Sequence, residues 1–232
     1  MDTILSGFIR AVRLIFSLDA ELFLIIGLSL KVSAVSVLAA SAMGVPLGAL
    51  CALKRFLGRS LFVTLLNSLM GLPPVVAGLA LYLILSRSGP LGFMGLLFSP
   101  SAMIIAQTVI VMPIIAALTW SAVGSVDPRV RETALTLGAG PLIADWRVVC
   151  EARLGVLSAV MAGLGRALAE VGAVLMVGGN IAGYTRVMTT AIAMETGKGS
   201  FELATALGII LLVISFVIYL VLGRIQGPVR AV

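Results

Sequence analysis

Two charged side chains stand where charge is costly. Arg166 and Glu170 lie four residues apart inside an otherwise apolar stretch. At that spacing they meet on one face of a helix, and a charge at the centre of a membrane helix costs about 2.5–3.5 kcal/mol. Such a pair either faces a watery cavity, where it shapes the field felt by a passing ion, or acts as internal glue or a contact between copies. A second group of donors, Asn180, Thr185, Arg186, Thr189 and Thr190, lies in a glycine-rich stretch from Gly178 to Glu202, ahead of an expected short helix through Glu195. Gln107, in another apolar stretch, is a weaker candidate of the same kind. Hydroxyl, amide and guanidinium donors bind or pass oxyanions; simple surface solvation is the default for any one of them. Gly71, Pro73, Pro74 and Gly78 interrupt a third apolar stretch. Proline removes an amide donor and clashes with the preceding turn, and the freed carbonyls need a neighbour or a water-filled cavity. Pro73 and Pro74 therefore mark either a place where a path bends or opens or a static packing kink.

Several chemistries are excluded. The chain has no histidine, which removes Ser–His and Cys–His nucleophilic pairs and histidine-based zinc sites. Arginine does not titrate usefully, so Arg166 with Glu170 is no acid–base couple, and neither a catalytic residue nor a metal site is expected. Cys51 and Cys150 are isolated and expected to be reduced. No phosphate-binding G-x-x-x-x-G-K-[ST] loop is present: Gly197-Lys198 is followed by Gly199, and Ile192 stands where the first glycine is needed.

The elements that must carry these residues are membrane helices. Of 232 residues, 60% are hydrophobic and 11% charged, with a mean hydropathy of +1.19. No soluble fold of this size has the interior to hide that much apolar surface. The expectation is an all-α integral membrane protein, one domain over residues 1–232, with about five spans: Leu22–Leu53, Leu61–Leu85, Ala102–Val123, Leu154–Val177 and Leu203–Leu222. Lys31 interrupts the first, predicting an interfacial stretch over Leu22–Leu30 that bends into a span near Lys31. Met1–Ser17 reads as an amphipathic surface helix with Arg10 and Arg13 on its polar side, and Met1–Phe16 lacks the compact apolar core of a cleavable signal. Basic residues set the orientation. Lys54, Arg55, Arg59, Arg129, Arg131, Arg147, Arg153, Arg224 and Arg230 fall on one side, against Arg10, Arg13, Arg87, Arg186 and Lys198 on the other. The first side is cytoplasmic, the amino terminus outside and the carboxyl terminus inside. Basic residues placed at span ends argue against nucleic-acid binding. Small residues recur every fourth position at Ser36, Ala40, Gly44 and Gly48, and again at Gly155, Ala159, Gly163 and Ala167; each ladder suits a dimer seam or packing within one chain.

The loop over residues 125–152 joins the third and fourth spans. Asp127 caps and Pro128 opens a helix, Gly138 and Gly140 stop it, and Pro141 opens a second helix over roughly Leu142–Val149. A DNA-reading helix-turn-helix does not fit about 25 residues clamped between two spans. A short helix with Ala134 and Gly138 on one face suits a groove on another protein.

Glu132-Thr133-Ala134, three residues to Gly138 and nine more to Val148 resemble the EAA loop of binding-protein-dependent ABC importer permeases. Val148-Val149-Cys150-Glu151 departs from that family's closing Leu-Pro. Gly71-Leu72-Pro73-Pro74-Val75-Val76-Ala77-Gly78, Ser88-Gly89-Pro90-Leu91-Gly92, Arg166-Ala167-Leu168-Ala169-Glu170-Val171-Gly172-Ala173 and Gly179-Asn180 resemble its molybdate, tungstate and sulfate branch. Thr189-Thr190-Ala191-Ile192-Ala193-Met194-Glu195-Thr196-Gly197-Lys198-Gly199 is most similar to the tungstate permeases. The resemblance implies a MetI-like bundle in a cell (inner or plasma) membrane. Glu132, Thr133, Ala134 and Gly138 would lie in a cytoplasmic coupling helix that docks in an ATPase cleft. Pro73, Pro74, Arg166, Glu170, Asn180, Thr185 and Arg186 are the candidates for the path. It further implies a homodimer, two copies of an ABC ATPase that uses ATP and magnesium, and an extracytoplasmic binding protein, for which the loop from Gly178 to Glu202 would be a platform. No cofactor is expected on this chain. Sulfate, phosphate or another small solute is the alternative cargo; an ion-gradient-driven transporter is the remote alternative, disfavoured because five spans contain no inverted repeat.

Overall fold

The computed structural model describes residues Ala20–Gln226. The expected surface helix over Met1–Ser17 and the terminal Arg230 lie outside the described residues. Within them there are ten α-helices, one short 3-10 turn and no strand.

Helix α1 (Ala20–Leu53) is unbroken, and its length of about 51 Å exceeds a hydrocarbon core of about 30 Å. The expected bend at Lys31 is absent. Lys31 is exposed, so its ammonium can reach the interface without any break in the helix. Helices α2 (Arg59–Met70) and α3 (Pro74–Leu85) replace the expected second span and turn through 102° between them. Pro73 stays extended and Pro74 starts α3, while the Pro73 carbonyl accepts from Val76 N and Ala77 N at 3.0 and 3.1 Å. Helix α4 (Pro100–Gly124) is the third long apolar rod.

The connecting loop forms α5 (Pro128–Thr136) and α6 (Pro141–Glu151). Asp127 accepts from Arg129 N at 2.9 Å, the expected cap. Gly138 has φ +86°, a conformation that favours glycine and ends the helix. Helix α7 (Arg153–Leu168) follows α6 after a 62° bend. The fourth span was expected to run unbroken to Val177; instead the chain leaves the helix after Leu168 and resumes as α8 (Gly172–Gly178). Helices α9 (Met188–Gly197) and α10 (Phe201–Gln226) complete the order. Helix α9 begins earlier than expected and takes Thr189 and Thr190 into its first turn. Three helices are long and apolar enough to span a membrane, and five segments are if each bent pair counts once.

The described chain divides into two compact units, with boundaries inside α1, α4 and α7. In one, Val37–Leu72 with Thr108–Leu164, the glycines of both small-residue ladders are seats for α4. A methyl on Gly44 would lie 3.0 Å from the Met112 carbonyl oxygen, and one on Gly48 would collide with Thr119 and the Ala116 carbonyl. Gly155 is equally close to Ala122, and Gly163 to Ile115. The alternatives left open for the ladders are thereby decided at these glycines in favour of packing within one chain. In the other unit, α3 and α8 touch backbone to backbone: a methyl on Gly78 would lie 2.7 Å from Ala173 Cα. A core of Leu22, Ile25, Met188, Ala191, Ala206, Leu207 and Ile210 joins α1, α9 and α10.

Candidate functional site

The loop helices α5 and α6 are held by one carboxylate. Asp145, buried on α6, receives Lys54 Nζ at 2.6 Å and Arg131 Nε at 2.8 Å. Burial alone pushes the Asp145 carboxyl up; the hydrogen bonds and charges of Lys54 and Arg131 outweigh it and leave the group below the ordinary aspartate range. Val148 and Ala152 add an apolar anchor against Ala49 and Val123. Of the residues singled out in α5, Glu132 and Thr133 are exposed and Ala134 is half-buried. Gly138, beyond the helix end, is also exposed. Beside them Leu137, Leu142, Ile143 and Trp146 are exposed at 83, 79, 59 and 65%. Leu142, Ile143 and Trp146 lie on α6 and Leu137 at the end of α5. Asp145 was missed by sequence reasoning. Its only local signal was an acid on the inner face of a helix opened by Pro141.

The membrane candidates gather at the break after α7. Arg166 Nη1 and Glu170 Oε2 form the expected i,i+4 ion pair at 2.7 Å. Glu170 is 2% exposed, whereas the Arg166 side chain keeps 29% exposure. Glu170 Oε1 accepts from Ala173 N at 2.9 Å, capping the first turn of α8. Interrupting a helix frees carbonyls that lipid cannot satisfy. Here Gln107 Nε2 donates to the Ala167 carbonyl at 3.1 Å, and Thr189 Oγ1 donates to the Glu170 carbonyl at 2.8 Å. Ser36 Oγ in turn donates to Gln107 Oε1 at 2.8 Å. Ser29, Ser33, Gln107, Glu170 and Thr189 help line a cavity of about 10 Å³, at the lower limit for one water. Glu170 is thus an internal clasp, and Arg166 is the member of the pair with a face left open. Gln107 and Thr189 were noticed as oxyanion donors, but both act on backbone carbonyls. The serines at 29 and 33 were not noticed at all, because nothing local marks them.

The other candidates separate from that cluster. Pro73 and Pro74 hold the α2–α3 break, and Val75 just after it packs on Gly172 at the start of α8. Thr185 is buried: its hydroxyl donates to the Gly178 carbonyl at 2.6 Å and accepts from Ile181 N at 2.9 Å, which makes it a loop staple. Thr190 Oγ1 accepts from Val187 N at 3.1 Å and caps α9. Asn180 sits at φ +51° and donates to Met194 Sδ at 3.3 Å. Arg186 approaches Glu21 at 3.4 Å. Among the described residues no group of three or more His, Cys, Asp and Glu is placed to hold a metal ion.

Known proteins are similar to this chain in sequence. Residues 44–230 match the profile of a family described as binding-protein-dependent transport system inner membrane component. The chain is 42% identical over 97% of its length, and 99% of the relative's, to a tungstate uptake system permease protein, TupB, of Peptoclostridium acidaminophilum. It is 43% identical to a probable anion ABC transporter permease protein of Haloferax volcanii, covering 81% of this chain and 83% of that one. A TupB of Campylobacter jejuni is 32% identical over 97% of this chain and 95% of its own. Permeases named for sulfate and molybdenum transport match at 29–32%.

Proposed function

Because the chain belongs to the binding-protein-dependent inner membrane components, we propose that it is the membrane-spanning permease of an ATP-driven ABC importer that carries tungstate into the cytoplasm. The similarity to a tungstate uptake permease over nearly the whole of both chains carries this reading. Two copies of the chain pair with two copies of a separate ATPase, which binds and hydrolyses ATP with magnesium, and with an extracytoplasmic protein that captures the anion. The amino terminus faces outward and the carboxyl terminus the cytoplasm, in keeping with the charge distribution.

The mechanism follows from the α5–α6 surface. ATP closes the ATPase pair, and α5, presenting Glu132 and Thr133, rides in a cleft of the moving subunit with Leu137, Leu142 and Trp146 against its rim. Asp145 makes the two short helices one lever, since its bonds to Lys54 and Arg131 tie α6 to α5 and to the end of α1. Motion of that lever opens the path to either side in turn. Arg166, half-exposed beside the clasp, supplies a fixed positive charge to the passing dianion, while Pro73 and Pro74 mark where the path wall turns. Asn180, Thr185 and Arg186 belong to the outer loop on which the binding protein rests.

Cellular tungsten and molybdenum measured by elemental mass spectrometry test this, comparing cells with the chain, without it and with Glu132→Arg at nanomolar supply. Loss of tungsten uptake in the last two, not relieved by withdrawing sulfate, is the expected result. Unchanged tungsten content in cells without the chain refutes tungstate as cargo. Molybdate is the second reading, favoured by the molybdenum permeases among the relatives, and a parallel loss of molybdenum would assign both anions.

A further inference from the structure

Helix α2 divides its surface three ways. Successive residues are about 100° apart around a helix. Phe62, Leu66 and Leu69 therefore share one side, where Leu66 is buried with Ala116 and Ala117 of α4, and Leu47 of α1 and Met112 of α4 pack against them. Leu61 and Leu65 form a second side, exposed at 76 and 53%. Between them runs a polar arc about 100° wide, made of Ser60, Thr64, Asn67 and Ser68, all exposed.

The inner end of this arc lies within the apolar layer. Arg59 Nε donates to the Cys51 carbonyl at 2.6 Å, which sets the start of α2 beside the end of α1. Leu66, one residue before Asn67, packs with Leu47 and Ala116. Leu47 is about 10 Å along α1 from Lys54, and Ala116 is about 12 Å along α4 from its end at Gly124, at 1.5 Å per residue. Half a hydrocarbon core is about 15 Å thick. Asn67 is therefore inside that layer, and α2 is not a helix lying on the membrane surface.

An amide in hydrocarbon is costly without a hydrogen-bond partner, and among the described residues the Asn67 side chain has none. Ser68 Oγ spends its proton on the Thr64 carbonyl at 2.9 Å, which leaves Ser60, Thr64 and Asn67 to donate outward. Polar side chains at this depth face the interior of a bundle or a water-filled cavity. A seam between helices needs only one or two such groups to fix its register. Four in unbroken succession, from Ser60 at the aqueous edge inward, let water follow the helix. Leu61 and Leu65, on the next side round, are left to meet lipid.

We propose that the polar arc of α2 is a wall of the water-filled transport path, and that Thr64 Oγ1 and Asn67 Nδ2 donate to the oxyanion as it passes. The wall follows from the arc and its depth; the identity of the anion rests on the importer reading above. Uncharged donors suit a place that an anion must leave, because they replace part of its hydration without holding it as a fixed cation would.

Thiol labelling of the full-length chain, assembled with its ATPase in inverted membrane vesicles, tests the wall. Thr64→Cys, Asn67→Cys, Leu61→Cys and Leu65→Cys are made singly in a Cys51→Ala/Cys150→Ala background and treated with a water-soluble, negatively charged methanethiosulfonate. Only the thiolate reacts, and it forms in water rather than in lipid. Cysteines at 64 and 67 are expected to react at least about tenfold faster than those at 61 and 65. Equal rates at all four positions overturn the wall, and so does an unreactive position 67 that instead forms a disulfide between two copies, which would make the arc a seam. These rates need no cargo, so their failure is distinct from a failure of the tungstate reading, which shows only as unchanged tungsten in cells lacking the chain. The anion contact is tested by tungsten uptake: Asn67→Asp, which sets a carboxylate against the anion, is expected to lower it at least about tenfold, and Asn67→Gln, which keeps the donor, to retain most of it. Wild-type uptake by Asn67→Asp overturns the contact.

Discussion

Asp145 and Glu170 are both buried carboxylates paired with basic side chains, yet they hold different things. Asp145 joins segments distant in the chain: its partners are Lys54 from the end of α1 and Arg131 from α5. Those cations are themselves 46 and 39% exposed, so water shares the load. Glu170 works almost wholly on its own neighbourhood, through Arg166 one turn before it and Ala173 N three residues after it. It does so inside an apolar stretch, where a lost partner is costly to replace. One carboxylate ties separate pieces together, and the other keeps a helix broken at one point. A bond at an aqueous edge is cheap to lose and suited to a part that moves, whereas a clasp inside a membrane is costly to lose and suited to a fixed geometry.

The sharpest way to break this contrast is Glu170→Ala. It strips Arg166 of its counter-charge and α8 of its cap, and removing one partner of a buried ion pair costs about 3–5 kcal/mol. Thermal melting of the purified chain in detergent should show a large drop, partly recovered in Arg166→Met/Glu170→Ala, where no orphan charge remains. If the double variant is no more stable than the single, the ion pair is not what makes Glu170 costly to lose.

Thr189→Val comes next. It keeps shape but leaves the Glu170 carbonyl without its donor, and an unsatisfied buried acceptor costs about 1–3 kcal/mol. Melting should fall by less than in Glu170→Ala, and Thr190→Val, which removes only a local cap, should cost less again. Equal losses in the two threonine variants would mean that the break is held by something other than its carbonyl partners.

These residues also show which parts of the molecule a sequence discloses. The α5–α6 loop was legible because its signals are local: Asp127 before Pro128, Gly138 at positive φ, Pro141 opening the next helix. The α2–α3 break was legible for the same reason, since proline acts on its own backbone. The break after α7 was not. Ala169, Glu170 and Val171 tolerate helix, and what ends the helix is a set of partners remote in sequence, Gln107 and Thr189 among them. Lys31 misled because a charge in an apolar run reads as an end, whereas a long side chain at a membrane boundary needs no bend. The spacing of the small residues placed both ladders correctly on helix faces, but only the close approach of Gly48 and Gly163 to α4 tells which helix they meet.

At the aqueous carboxylate the expected stability loss is smaller and the functional loss larger. Asp145→Asn releases Lys54 and Arg131 into water at roughly 1 kcal/mol or less per pair, so melting should barely move. Uptake of the anion should fall severalfold while the assembled complex still hydrolyses ATP, because α5 can be pushed without carrying α6 and α1 with it. Full uptake by a variant that retains wild-type ATP hydrolysis would show that α5 and α6 are coupled by apolar packing alone.

The smallest effect is one of pH, and its sign is set by the lowered pKa of Asp145. A carboxyl that titrates lower in the folded chain than in the unfolded one stabilises the fold fully above the ordinary aspartate value of about 3.9 and loses that contribution as pH falls through the folded value. The chain has two tryptophans, and Trp146 is exposed on α6 beside Asp145. In a Trp120→Phe background its fluorescence therefore reports on the anchoring of α6. Emission should stay level from neutral pH down to the ordinary aspartate range and shift only below it, as protonated Asp145 releases Lys54 and Arg131. Asp145→Asn should remove that acid step, since the asparagine variant has nothing there to protonate. A shift that begins above the ordinary aspartate range and survives in Asp145→Asn would show that Asp145 does not anchor α6 and leave Glu170 as the one carboxylate whose pairing holds structure.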